Sequence, residues 1–178
     1  MLTGWHAWVG TFTGVAASTV ALLPVAAVVA WALAHHRQAS GATGAWRTSL
    51  AEVAIVYGTL PTVWMTMLPG GRPGVSLIPL HDLFTIITHD GPATAAAQIV
   101  GNLLLFAALG FFAPVRFAAL ASVPRILALA ASCSILIETA QYVLALGRVS
   151  SVDDVLLNTV GAGLAALASR RWWRARPA

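Results

Sequence analysis

Residues 135–163 read ILIETAQYVLALGRVSSVDDVLLNTVGAG. Two apolar runs meet at a short polar joint. Glu138, Gln141, Arg148, Asp153, Asp154 and Asn158 are set among residues that otherwise suit a lipid environment. Most of the unusual chemistry of the chain is in this stretch, so the fold is read outward from it.

The flanking composition places the stretch in a membrane. Of 178 residues, 58% are hydrophobic and 9% charged, where a soluble domain carries roughly 25% charged residues. Mean hydropathy is +0.81. Such a length admits several spanning helices of about 20 residues each in a single membrane domain over 1–178. The formal charge is +4 and every basic residue is arginine. The arginines cluster at segment ends, which is a membrane-orientation pattern; no nucleic-acid signature accompanies them. The lone Cys133 lies inside an apolar run and cannot form an internal disulfide. No basic region precedes the first apolar stretch, which therefore reads as a retained helix rather than a cleaved signal.

The pattern predicts an all-α, polytopic bundle of five transmembrane helices, at about 11–34, 48–68, 97–115, 126–146 and 152–168. Pro24 falls within the first and Pro61 near the end of the second, and Pro124 separates the third from the fourth. Between the second and third lies SLIPLHDLFTIITHDGP, from Ser76 to Pro92. It is too short and polar to span and reads as interfacial or re-entrant.

Arginine placement sets the orientation. Arg37, Arg47, Arg116, Arg125, Arg170, Arg171, Arg174 and Arg176 fall on one side, and only Arg72 and Arg148 on the other. The positive-inside rule puts the N-terminus outside and the C-terminus in the cytoplasm. Trp5, Trp8, Trp31, Trp46, Trp64, Trp172 and Trp173 lie at or near segment ends, where amphipathic rings favour the headgroup level.

With this topology the polar residues converge on the outer side. Glu138, Gln141, Ala145 and Arg148, at offsets of three, seven and ten, share one face of the fourth helix. Glu138 then lies roughly 15 Å below Arg148. Asp154, Asn158 and Gly161 share a face of the fifth helix, and Gln98 and Asn102 one of the third. A mid-membrane acid costs about 2.5–3.5 kcal/mol on insertion scales. These faces are therefore expected to turn toward one another, with Glu138 bonded to Gln141, Asn102 or Asn158 and Arg148 paired with Asp153 or Asp154. Gly161 and Ala165 form a small-residue edge for close helix approach. The plainer alternative is that Asn102, Gln141 and Asn158 tie helix to helix, that Asp153 or Asp154 caps the fifth helix beside Ser151, and that His81 and Asp82 are solvated loop residues.

In order along the chain, four pieces resemble the VanZ-like membrane proteins, a family named for a teicoplanin-resistance protein. They are Ser76-Leu77-Ile78-Pro79-Leu80; Gly101-Asn102-Leu103-Leu104-Leu105-Phe106 with Gly110; Glu138 to Gln141; and Gly147-Arg148, Val152-Asp153-Asp154 and Asn158-Thr159-Val160-Gly161. The resemblance covers about residues 50–168. The family often has Asn before Leu-Ile-Pro, Phe after it and Pro before Leu-Gly, where this chain has Ser76, Leu80 and Ala108. The resemblance implies a multi-pass bundle and a role in how the cell surface meets glycopeptides. It supplies no mechanism.

These readings converge on a multi-pass protein of the bacterial plasma membrane. Its outward pocket of Asn102, Glu138, Gln141, Arg148, Asp153, Asp154 and Asn158 would bind a membrane lipid or a lipid-linked envelope precursor, with homo-oligomerisation left open. Two alternatives stand beside it. One is an enzyme on a lipid-phase phosphate-containing substrate with Glu138 as general base; the other is a small proton-coupled transporter. The chain has no H-E-x-x-H, no Cys/His ligand cluster, no G-x-S-x-G and no phosphate-cradling Gly loop. The reading is therefore without metal or cofactor and leans away from catalysis.

Overall fold

Helical periodicity becomes helix nearly throughout the computed structural model, which describes residues 10–71 and 73–174. Trp5, Trp8, Arg72 and Arg176, with the extreme ends of the expected domain, lie outside the described residues. The order is α1 (Phe12–Ala21), α2 (Leu23–Ala39), α3 (Ala45–Thr66), β1 (Gly74–Ser76), and α4 (His81–Thr85) running into a π turn over Ile86–Asp90. Then come α5 (Pro92–Leu105), α6 (Ala107–Arg116), a 3-10 turn over Ala118–Leu120, α7 (Val123–Val143), β2 (Val149–Ser151), α8 (Val152–Ala168) and α9 (Arg170–Arg174).

The packing is inside out relative to a water-soluble bundle. Ala34, Ala113, Ala130, Ala162 and Ala166 are buried, while Val20, Leu136 and Val143 stand about two-thirds exposed or more. In a bilayer, lipid tails solvate large aliphatic side chains, and small residues let helix backbones approach. Gly161 and Gly110 carry this furthest. A Cβ on Gly161 would fall on the Leu103 carbonyl, and one on Gly110 on the backbone of Ala162. α8 is thereby pressed against α5 and α6, with Ile126 of α7 closing the core.

Among the described residues, two helices are long and apolar enough to cross a membrane, Pro92–Arg116 and Val123–Val143. α1 and α2 make a third if read as one bent span.

Several boundaries depart from expectation. The first span is two helices meeting at 43°. Pro24 sits in the first turn of α2, where it has no N–H to continue the hydrogen-bond ladder of α1. The third begins earlier, at Pro92 after Gly91 (φ 85), and is interrupted at Phe106. The fourth stops at Val143 instead of about 146. Ala145 (φ 49) and Gly147 (φ 65) turn the chain, and the Leu146 N–H closes back on the Gln141 carbonyl at 3.1 Å. Ala145 and Arg148 therefore lie beyond the helix, and the expected face of Glu138, Gln141, Ala145 and Arg148 does not form.

The all-α expectation also meets a small exception. β1 and β2 form a two-stranded parallel ladder, Gly74 with Val149, Val75 with Ser150 and Ser76 with Ser151. It fastens the loop after α3 to the turn before α8. Trp173 likewise departs from an interfacial tryptophan. It is buried, donating Nε1–H to the Ala166 carbonyl and to Ser169 Oγ, each at 3.2 Å.

Candidate functional site

The site begins where α7 ends. After Gly147 the chain passes Gly70, whose N–H donates to the Leu146 carbonyl at 2.8 Å. A Cβ on Gly70 would stand 2.6 Å from the Gly147 carbonyl oxygen and 2.8 Å from Arg148 Cγ. Glycine at 70 thus admits both the crossing strand and the stem of Arg148. In β2, Ser150 Oγ donates to the Glu138 carbonyl at 3.1 Å, and the Ser151 N–H donates to Glu138 Oε2 at 3.0 Å. Ser151 Oγ then caps α8, accepting the Asp153 N–H at 3.1 Å.

Asp153 is not the cap. Its buried carboxylate reaches the other loop, accepting the Leu80 N–H at 2.5 Å and the Leu83 N–H at 3.0 Å. Leu80 has φ 66, a left-handed conformation costly for a residue with a branched side chain. Two charge-assisted bonds from Asp153 hold it there and start α4 beside α8.

Between α3, α4, α5 and the α7–α8 corner lies a cavity of about 860 Å³. Its polar walls come from Arg148, Asp154, Asn102, Gln98, Asp82 and Ser151. Asn102 Nδ2 donates to Asp154 Oδ1 at 2.5 Å, joining α5 to α8. Arg148 is half-buried. The expected ion pair with Asp153 or Asp154 does not form: ion pairs among the described residues are Arg37–Glu52, Arg116–Glu52 and His81–Asp82. Arg148 lies in the turn beyond α7, and its guanidinium makes no hydrogen bond among the described residues, although Asp154 and Glu138 are near enough to act on it electrostatically. Burial pushes the Asp82 carboxyl up, but the polar groups of Ser151, Ser76 and His81 outweigh it and hold the group below the usual carboxylate range.

The expected site residues therefore divide. Asn102, Arg148 and Asp154 line the cavity. Glu138 and Asp153 brace its frame, Glu138 through Ser151 and Asp153 through the Leu80 turn. Gln141 is buried and donates Nε2–H to the Thr66 carbonyl at 2.9 Å, tying α7 to α3. Asn158 is buried deeper in the bundle, donating to Ser134 Oγ at 2.8 Å, while its Oδ1 has no hydrogen-bond partner. The expected contacts of Glu138 with Gln141, Asn102 or Asn158 are replaced by these. Glu138 is not among the residues of the cavity wall.

Sequence reasoning set aside two residues that belong here. Asp82 was read as part of a solvated loop, but the β1–β2 ladder and Asp153 bring that loop to the cavity wall. Gln98 was noticed only as a polar neighbour of Asn102; the i, i+4 spacing that linked them was the available signal. At the opposite end of the helices is a cluster that no local sequence pattern assembles. Glu52 of α3 accepts from Arg37 of α2 at 2.6 Å and from Arg116 of α6 at 2.5 Å, while Arg37 also donates to Ser49 Oγ at 2.8 Å. Arg47 donates to the Trp172 carbonyl at the same end. The helices thus carry a mixed-charge cavity at one end and a pinned arginine cluster at the other.

A family model described as VanZ/LLP1 matches residues 19–173 of the chain, which takes in the cavity and the arginine cluster. No curated protein and no solved structure matches it.

Proposed function

The chain belongs to the VanZ/LLP1 family, and on that premise we propose that it is a membrane binding protein whose cavity takes the polar head of a lipid or lipid-linked cell-envelope molecule. Arg148 carries the reading. It is a half-buried guanidinium on the wall of an 860 Å³ cavity with no anion bonded to it among the described residues. A cation drawn partly out of water with no hydrogen-bonded anion is costly, and a tetrahedral phosphate presents paired oxygens to which the planar guanidinium can donate in bidentate fashion. The Asn102–Asp154 pair and Asp82 offer acceptors to hydroxyl or amine groups on the same head.

The reading has five helical passes through the bacterial plasma membrane, N-terminus outside and C-terminus in the cytoplasm. Two features support this direction. Arg37, Arg47 and Arg116 gather at one end of the helices, the cytoplasmic end by the positive-inside rule, and the cavity lies at the other. An outward head site on an envelope molecule is also how such a protein would alter glycopeptide susceptibility.

The test is lipid retention. Protein purified in a mild detergent is analysed by native mass spectrometry beside Arg148→Gln and Asp154→Asn. The parent is expected to retain a phosphate-bearing lipid in excess of its share of the membrane, and Arg148→Gln to lose it. Equal lipid profiles for parent and Arg148→Gln would overturn the proposal. In cells, Arg148→Gln is expected to match a deletion strain in teicoplanin susceptibility at unchanged protein level.

A further inference from the structure

A second cavity lies beside the first and is its chemical opposite. It is a groove of about 910 Å³ between α1–α2 and α3, walled by Val15, Leu22, Val29, Val56, Leu60 and Trp64 among others. The bend at Leu22 keeps the amino-terminal helices from closing along α3. The Tyr57 hydroxyl donates to the Thr19 carbonyl and holds the two sides at that separation.

The two cavities meet on shared elements. On α3 they lie on opposite faces, Leu60, Pro61 and Trp64 toward the groove and Thr62, Met65 and Thr66 toward the polar cavity, so the helix stands between them. On α1, Phe12 lines the polar cavity and Val15, one turn on, lines the groove. The two cavities come together at that Phe12–Val15 turn of α1, at the end of the helices that carries Arg148. The groove runs down α3 from Trp64 to Val53, about 16 Å at the helical rise, which is close to half of a hydrocarbon core about 30 Å thick. Its far end stops at Glu52, which Arg37 and Arg116 hold.

We infer that the cavity and groove form one site for a single amphipathic lipid, its phosphate head beside Arg148 and one aliphatic chain laid along α3 to the depth of one leaflet. The inference rests on the head-group reading above and adds the chain. A head-binding protein needs no apolar groove, and a groove merely filled by bulk lipid needs no unpaired arginine at its mouth. Together they select a molecule with both parts.

The experiment separates head from chain. Binding of glycerol 3-phosphate, dihexanoyl phosphatidic acid and dioleoyl phosphatidic acid is measured by native mass spectrometry in dodecyl maltoside. The proteins are the parent, Ala26→Trp and Val53→Trp, which fill the groove from α2 and from α3, and Arg148→Gln. Melting temperatures check that each variant is folded, and the two groove variants, on different helices, stand in for each other. For the parent, affinity is expected to rise at least tenfold from the short-chain to the long-chain phosphatidic acid. Either folded groove variant should lose most of that rise and keep its affinity for glycerol 3-phosphate; Arg148→Gln should weaken all three ligands. A chain-length dependence equal in parent and groove variants would overturn the inference and leave the head site standing. A parent that binds none of the three would overturn both.

Discussion

Replacing Gly161 by alanine tests the seam on which the cavity is built. A Cβ at 161 would stand 2.6 Å from the Leu103 carbonyl carbon and 2.7 Å from its Cα. These are backbone atoms that no rotamer change can move aside, so α8 and α5 must separate by several tenths of an ångström or more. A gap of about 0.5–1 Å forfeits a quarter to a half of each contact along the seam. Overpacking of this kind costs about 1–3 kcal/mol, and overlap with backbone puts Gly161 near the upper figure. Alanine recovers about 1 kcal/mol of helix propensity. The net expectation is a loss of about 2 kcal/mol, or a melting temperature lower by about 4–8 °C for a chain of this size. Gly101 is the control. It is also inside a helix, but a Cβ there meets nothing within 4 Å. Gly101→Ala should therefore stabilise by about 0.5–1 kcal/mol. Thermal unfolding in mild detergent reads both. If Gly161→Ala melts at or above the parent, or no lower than Gly101→Ala, the close-approach argument is wrong.

Other expectations follow from contacts at the two ends. Asp153→Ala removes two charge-assisted bonds and releases the left-handed Leu80, so a loss of about 3 kcal/mol and faster proteolysis between residues 77 and 90 are expected; an unchanged cleavage rate would refute the clamp. Glu52→Gln leaves Arg37 and Arg116 facing each other without their acid. The carboxylate is about a quarter exposed, which discounts the loss to about 2 kcal/mol, and Glu52→Gln should melt lower than Arg125→Gln on the same side, which removes only a bond to the Ala119 carbonyl. Asp82 is held below the ordinary aspartate range, so its charge stabilises the fold above the unfolded value of about 3.9 and that contribution is lost as pH falls through the lower, folded value. The difference in melting temperature between parent and Asp82→Asn should be present at neutral pH and vanish in strong acid; a difference independent of pH would mean the charge is not what matters.

α8 was legible almost to the residue, because its signals are local. Ser151 is a capping type, two acids follow in the first turn, and an apolar run with glycines completes the helix. The end of α7 was not. The apolar run continues to Leu146, and the turn is made by Ala145 at positive φ, a role the sequence would ordinarily give to glycine. That misplacement carried Arg148 onto a helix face and into an ion pair that does not exist. Asp153 shows a different limit. Its acid was visible, but its partners Leu80 and Leu83 lie some seventy residues away and offer backbone N–H groups, which every residue but proline has. Arg37 and Arg116 read from the sequence only as orientation charges, and only the packing of three helices explains their meeting at Glu52. The polar residue types were thus readable, while their assignment to wall, brace or tie depended on turns and distant backbone.

The alanine and glycine seams divide the molecule into a part without play and a part with room to give. Where backbones already touch, as at Gly161 with Leu103 and Gly110 with Ala162, no side chain remains to be compressed. A guest entering from the bilayer must then be admitted by the other half. What room there is lies along the groove between α3 and the arm bent at Leu22, while α5, α6 and α8 meet backbone to backbone.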